Sequence, residues 1–262
     1  MTATVESRVS PIVAVRNTGT LAWRTLVQIK HNPFELLDFS VQPIMFLVLF
    51  TYVFGGAISG STGDYLTFGL PGIIVQNLLF ATLNTGVGLN TDISKGVFDR
   101  LRSLPISRWS PLSGRIVADV IKQAWAVTLL LVVGTILGFR IGTGPVEVIG
   151  MYGLLLVFAF ATSWMSVLVA MLVSDPEKVQ IFGFVLLFPL TFASNAFAPT
   201  ATMPGWLQAW VKVNPVSILA DAVRGLLNGG PIATPVTQSL IWAAILLVAF
   251  APVSVWAFRR RV

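Results

Sequence analysis

Residues 94–108, SKGVFDRLRSLPISR, form a basic amphipathic segment between two long apolar runs of the chain. Its apolar face begins with the preceding residue, Ile93, and continues with Val97, Leu101 and Leu104. These residues are four, four and three positions apart, which places them on one side of a helix. The charged residues on another face are Lys95, Asp99 and Arg102. Pro105 is expected to end this helix, because its ring disfavours helical geometry at the preceding residue. A solvated surface helix and a docking helix both fit this pattern, so the surrounding chain has to decide between them.

The composition is that of a membrane protein. The chain has 262 residues, of which 55% are hydrophobic and 11% are charged, whereas soluble domains carry roughly 25% charged residues. The formal net charge is +6, but the basic residues are scattered between apolar runs and form no dense stripe. Nucleic acid is therefore not expected as a partner.

The apolar runs predict an all-α integral membrane protein with six transmembrane helices in a single transmembrane domain over residues 1–262. Each run is close to the roughly 20 residues that cross a bilayer. The predicted limits are 36–57, 66–91, 115–138, 148–173, 179–198 and 236–258. An even number of spans places both termini on the same side of the membrane.

The distribution of basic residues predicts which side that is. Of the 17 Lys and Arg residues, all but Arg140, Lys212 and Arg224 fall on the side of the termini. Because basic residues accumulate on the cytoplasmic side, both termini and the segment 92–109 are expected to be cytoplasmic.

Arg115, Asp119 and Lys122 are spaced to pair on one helix face near this side, which favours local charge pairing over a proton relay.

Two further segments lie outside the spans. Residues 10–31 begin with Ser-Pro and read as an amphipathic helix in the membrane interface, or as a soluble helix packed on a partner. Residues 199–230 are interrupted by Pro and Gly, with Asn214 and Pro215 starting a short helix and Gly229 following its end. Asp221 and Arg224 are spaced to pair on that helix. A re-entrant hairpin and an interfacial helix both remain open for this segment.

Catalytic and metal-binding patterns are absent from the sequence. There is no Cys and the single histidine is His31. A metal site with histidine or cysteine ligands therefore cannot be built around it. The sequence contains no G-x-x-x-x-G-K-[ST] motif for binding ATP phosphates. We therefore expect a protein that is not an enzyme, binds no cofactor of its own, and takes any energy it uses from another subunit.

Three stretches carry a resemblance to a known family. They are residues 65–76, YLTFGLPGIIVQ, residues 94–108, and residues 214–225, NPVSILADAVRG. On these motifs the whole chain resembles permease subunits of the type-2 ABC exporter family, in its daunorubicin-resistance and lipid-exporter branch. The resemblance implies an exporter of an amphipathic drug or lipid in the plasma (inner) membrane of a bacterium. It also implies a second permease, identical or closely similar, and two copies of a separate cytoplasmic ABC ATPase that binds ATP and Mg.

The resemblance gives residues 92–109 the role of a coupling helix that contacts the ATPase. The candidate coupling residues are Lys95, Val97, Phe98, Asp99, Arg100, Leu101, Arg102 and Arg108. The family motif before span six contains Asn214, Pro215, Asp221 and Arg224. Polar and aromatic residues of the spans that could line a substrate path are Gln76, Asn77, Asn84, Trp164, Phe188 and Phe192. The alternatives are a membrane-embedded lipid-processing enzyme and an ion-coupled carrier or passive channel.

Overall fold

The computed structural model describes residues 11–31, 34–97 and 110–261, and its regular structure within these ranges is helical. The α-helices are α1 Pro11–His31, α2 Phe34–Leu49, α3 Gly55–Ser59, α4 Thr62–Ser94, α5 Ser110–Ile136, α6 Pro145–Leu172, α7 Pro176–Phe192, α8 Gly205–Val211, α9 Pro215–Asn228 and α10 Ala233–Arg261. A π-helical turn, Phe50–Phe54, joins α2 to α3, and a 3₁₀ turn, Thr200–Thr202, precedes α8. The predicted all-α class is confirmed.

Five helical stretches of the described chain are long and apolar enough to cross a membrane. They are Ser40–Ser59, Thr62–Ser94, Leu112–Ile136, Pro145–Leu172 and Ala233–Phe258. The remaining predicted span, 179–198, corresponds to α7, which has 17 residues and ends at Phe192. These five stretches are those of a multi-pass membrane protein, and a sixth span over α7 stays a prediction.

Helix α4 is the centre of the bundle and packs against α5, α6, α7 and α9. Small and polar residues let α6 approach it closely. A Cβ atom at Gly86 would lie 2.6 Å from the Ser166 carbonyl oxygen, and the Asn90 amide donates hydrogen bonds of 2.9 and 3.0 Å to the Ala170 and Val173 carbonyls. Close backbone approach and interhelical hydrogen bonds of this kind stabilise helix pairs inside membranes.

The long helices connect two ends of the bundle. The first, the Gly60 end, carries residues 60–61, 137–144 and 229–232, and Gly60 ends α3 with a φ of +78°, a conformation that glycine adopts without strain. The second, the Lys95 end, carries residues 94–97, the start of α5, residues 173–175 and Arg261. There the Arg261 guanidinium donates to the Ala170 and Val173 carbonyls at the end of α6, a favourable position for a cation.

Helix α9 has the limits that its sequence predicts. The Asn214 side chain accepts a hydrogen bond of 2.8 Å from the Val216 amide, as an N-cap does, and Gly229 follows with a φ of +89°. The helix packs inside the bundle at the Gly60 end, where Val216, Leu219 and Val223 are fully buried. It is therefore a core helix of the described structure and does not lie on the outside of the bundle.

Helix α1 packs on the first half of α5. A Cβ atom at Gly114 of α5 would lie 2.9 Å from Leu21 and 3.0 Å from the Thr18 carbonyl oxygen. Val13, Val15 and Trp23 of α1 are exposed. The helix thus contacts the bundle on one side and presents apolar residues on another, and its place in the membrane interface stays a prediction.

Candidate functional site

An open cavity of about 200 Å³ lies between α2, α4 and α7. Its amide-bearing residues are Gln42, Gln76, Asn77, Asn84 and Gln180. Its apolar residues are Pro43, Phe46, Phe80, Ala81, Leu83 and Phe184. No charged residue is among the described residues that line it. The cavity can therefore offer hydrogen bonds to a ligand within mostly apolar walls.

Three of the predicted path residues, Gln76, Asn77 and Asn84, are brought together in this cavity. Sequence reasoning missed Gln42 and Gln180, although a glutamine within the apolar run of α2 is itself a signal. Within the described part of the chain, none of the five amides makes a side-chain hydrogen bond to another residue. Their donors and acceptors are thus available to a bound molecule.

A row of phenylalanine rings begins at the cavity and continues toward the Gly60 end. Along α7, the ring centroids of Phe184 and Phe188 are 5.1 Å apart and those of Phe188 and Phe192 are 4.2 Å apart. Phe80 contacts Phe184 at 5.6 Å, where the row meets the cavity. The predicted Phe188 and Phe192 thus belong to a longer row, which the spacing of four residues from Phe184 could have revealed.

The row ends on the residues that follow α7. The Phe197 ring lies 4.9 Å from Phe192, 4.8 Å from Phe50 and 6.4 Å from Phe46. Phe184, Phe188 and Phe192 are each more than a third exposed, whereas Phe197 is 8% exposed. The row therefore has an open part along α7 and a closed part at the Gly60 end.

Trp164, the other predicted path residue, lies elsewhere. It is buried between α6 and α10, where its ring contacts Phe160 edge-on and its carbonyl accepts a hydrogen bond of 2.8 Å from Ser254. Its position is explained by packing between these two helices. Trp164 lines neither the cavity nor the phenylalanine row, and its part in a substrate path stays a prediction.

Four charged residues pair at the Lys95 end. Asp119 lies 3.2 Å from Arg115 and 3.4 Å from Lys122, which confirms the predicted pairing on α5. The structure adds Asp92 of α4, 3.1 Å from Arg115. Asp92 precedes residues 98–109 and Arg115 follows them, so the ion pair joins the two helices that carry this segment.

The candidate coupling residues lie partly outside the described structure. Lys95 is exposed and Val97 is half-buried just after α4, and Gly96 with a φ of +67° turns the chain there. Phe98, Asp99, Arg100, Leu101, Arg102 and Arg108 lie outside the described residues. Their role in coupling stays a prediction.

Of the family motif residues, Pro215, Asp221 and Arg224 lie on α9 and Asn214 is its N-cap. Asp221 and Arg224 form the predicted ion pair at 2.9 Å. The Arg224 guanidinium also stacks on the Phe68 ring at 4.0 Å and donates to the Phe68 carbonyl at 3.0 Å. Burial lowers the pKa of Arg224 and the Asp221 carboxylate raises it, and the guanidinium remains a cation because arginine keeps its proton in proteins.

A model of the ABC-2 type transporter family matches residues 16–228, a range that contains the cavity, the phenylalanine row and α9. The chain belongs to the ABC-2 type transporter family. It is 41% identical over 248 residues to the daunorubicin resistance ABC transporter permease protein DrrB1 of Streptomyces coeruleorubidus, covering 95% of this chain and 88% of the relative. This ABC-2 chain is accordingly a membrane-spanning permease.

Two more distant permeases are similar over most of their length. One, from Mycobacterium tuberculosis, is the permease protein DrrC, whose name refers to doxorubicin resistance. It is 29% identical over 239 residues, covering 90% of this chain and 86% of the relative. The other, named as the transport permease ycf38 of Cyanophora paradoxa, is 30% identical over 224 residues, covering 84% of this chain and 77% of the relative.

Proposed function

We propose that this permease is the transmembrane subunit of an ATP-driven exporter that moves an amphipathic drug or lipid out of the cytoplasm or the inner leaflet. The observation that carries the proposal is the uncharged, amide-lined cavity that continues into a row of phenylalanine rings. The cavity holds the polar part of the substrate through hydrogen bonds. The exposed rings of α7 receive its apolar part, since aromatic side chains offer large apolar contact areas.

In this proposal α7 is the fifth of six spans and the Lys95 end faces the cytoplasm. The excess of basic residues at that end supports the orientation. The cavity then lies in the cytoplasmic half and the row runs outward from it. Helices α8 and α9 form a re-entrant hairpin from the outer side, which the burial of α9 inside the bundle supports.

The row and the cavity are open on the side of α2 and α7, which we assign to a second permease subunit of the same kind. Met45, Tyr52 and Val53 of the α2–α3 run and Ile181 and Val185 of α7 are exposed there. Two separate ABC ATPases, binding ATP and Mg, contact residues 92–109 of the two permeases. Docking of the apolar face of that segment in a groove of the ATPase supplies the affinity, and Arg100 and Arg102 orient the contact.

The first test is composition of the purified complex. Purification of the tagged permease in mild detergent is expected to retain an ABC ATPase, and native mass spectrometry is expected to give two permeases and two ATPases. Vesicles that contain this complex should accumulate daunorubicin only with ATP. Transport of daunorubicin by the permease alone would favour the ion-coupled carrier or the passive channel and contradict the proposal.

The second test addresses the cavity. Gln76→Leu removes one buried amide from the cavity with little change in volume, and we expect the KM for daunorubicin export to rise about fivefold, the effect of roughly one hydrogen bond. Gln238→Leu is the matched control, because Gln238 is exposed on α10 and away from the cavity. Equal KM values for the two variants would remove the cavity from the substrate path.

A further inference from the structure

The chain leaves helical geometry inside the protein where α7 ends. Ser194, Asn195 and Ala196 are buried, with at most 6% exposure, yet they follow the last turn of α7. The final carbonyls of a helix and the amides beyond it have no partners within the helix. Buried backbone groups of this kind must find other partners, because leaving them unpaired is costly.

Those partners come from one face of α9. The residues Asn214, Ser217, Asp221 and Arg224 are spaced by three, four and three, which places them on one side of the helix. We call them the α9 polar stripe. The spacing can be read from the sequence, although Ser217 was not among the predicted residues.

The first half of the stripe binds the end of α7. The Asn214 side-chain amide donates hydrogen bonds of 2.8 Å to the Leu190 carbonyl and 3.0 Å to the Ala193 carbonyl. The Ser217 hydroxyl accepts a hydrogen bond of 3.2 Å from the backbone amide of Asn195. The last turn of α7 and the first residues after it are therefore fixed by α9.

The second half of the stripe, Asp221 and Arg224, binds residues 195 and 196. The Asp221 carboxylate accepts from the Asn195 side chain at 2.9 and 3.0 Å. Arg224 donates to the Asn195 carbonyl at 2.6 Å and to the Ala196 carbonyl at 3.3 Å. Because Arg224 also binds the Phe68 carbonyl, one side chain joins α4, α9 and residues 193–197.

Helix α4 confines the same segment from the opposite side. A Cβ atom at Gly72 would lie 1.9 Å from the Ala196 carbonyl oxygen, so the segment rests directly on the α4 backbone. The neighbouring Pro71 cannot donate to the Thr67 carbonyl, and the Asn228 side chain of α9 supplies that hydrogen bond at 2.8 Å. Residues 193–197 are thus held between the α9 polar stripe and α4.

We propose that the α9 polar stripe consists of positioning residues for transport, which hold residues 193–197 so that Phe197 closes the outer end of the phenylalanine row. The Phe197 ring is buried between Phe192 and Phe50, and the two residues that precede it, Asn195 and Ala196, are fixed by the stripe. Without the stripe, residues 193–197 move away from α4 and the row opens at the Gly60 end. The consequence for transport rests on the proposed function, whereas the positioning of residues 193–197 does not.

Hydrogen–deuterium exchange of the intact complex tests the positioning. In Arg224→Gln the amides of residues 193–197 are expected to exchange about tenfold faster, because losing hydrogen bonds to a charged group shifts an opening equilibrium by roughly an order of magnitude. Arg140→Gln is the matched control, since Arg140 is exposed at the same Gly60 end. Unchanged exchange at residues 193–197 in Arg224→Gln would overturn the proposal.

A milder variant covers the case in which Arg224→Gln does not fold. Ser217→Ala removes a single acceptor from the Asn195 amide and is expected to speed exchange at that amide about threefold. Exchange within α6 should stay as in the wild type for both variants, because a general loss of stability would raise it there as well. An equal rise of the exchange rate within α6 would mean that the stripe stabilises the whole fold, and it would refute a specific role in holding residues 193–197.

Leak of daunorubicin from loaded vesicles without ATP tests the closure separately. Arg224→Gln and Phe197→Ala are both expected to leak at least about threefold faster than the wild type, and Arg140→Gln is not. Faster local exchange without a faster leak would overturn the closure of the row by Phe197. If wild-type vesicles show no ATP-driven uptake of daunorubicin, the proposed function fails for this compound, and the exchange result still decides the positioning.

Discussion

Val97→Asp is expected to abolish ATP-dependent export while leaving the permease folded in the membrane. Val97 is half-buried at the Lys95 end and belongs to the apolar face that we assign to the ATPase groove. Burying a valine contributes about 1.5–3 kcal/mol, and a carboxylate in the same groove adds a desolvation cost. The complex with the ATPase should therefore weaken by more than about tenfold.

The measurement is daunorubicin uptake and ATP hydrolysis in vesicles that contain the permease and its ATPase. Hydrolysis is expected to continue without uptake, or the ATPase to be lost during purification. Lys178→Gln is the control, because Lys178 is exposed at the same end of the bundle and lies outside residues 92–109. Leu101→Asp, at the next position of the same predicted face, should behave like Val97→Asp. Wild-type uptake by both aspartate variants would exclude this face from coupling.

Features set by neighbouring residues along the chain could be predicted from the sequence. Helix α9 begins and ends as predicted, because the Asn214 cap, Pro215 at its first position and Gly229 after it act locally. The pairing of Arg115, Asp119 and Lys122 could be predicted for the same reason, since it depends on helical spacing within α5.

Features that depend on distant partners could not be predicted. The helix α7 was expected to continue to residue 198, but it ends at Phe192. Nothing in its own apolar sequence marks this end, because the groups that bind the backbone beyond it are Asn214, the N-cap of α9, and Arg224 on α9. The cavity likewise combines residues of α2, α4 and α7. Gln76 and Asn77 could be selected as polar residues in a span, whereas the contributions of Gln42 and Gln180 required the packing of the three helices.

The described part of the chain contains two Asp–Lys ion pairs at the same spacing of three residues, and they differ in burial. Asp119 and Lys122 have side chains that are 4% and 3% exposed and lie 3.4 Å apart. Asp175 and Lys178 are 56% and 55% exposed and lie 2.6 Å apart. The shorter distance belongs to the exposed pair. If distance sets the contribution to stability, Asp175–Lys178 is the stronger pair, whereas if burial sets it, Asp119–Lys122 is.

Asp119→Ala is expected to destabilise the permease by about 3 kcal/mol, because it removes a buried carboxylate that faces two cations. Asp175→Ala should cost less than about 1 kcal/mol, since water screens the exposed pair. Thermal unfolding of the purified variants measures both effects, and raising the salt concentration should diminish only that of Asp175→Ala. Equal losses would mean that pairing, not burial, sets the contribution. A larger loss for Asp119→Ala would show that burial sets the contribution of the Arg115–Asp119–Lys122 charges to stability, because a buried carboxylate leaves uncompensated cations behind when it is removed.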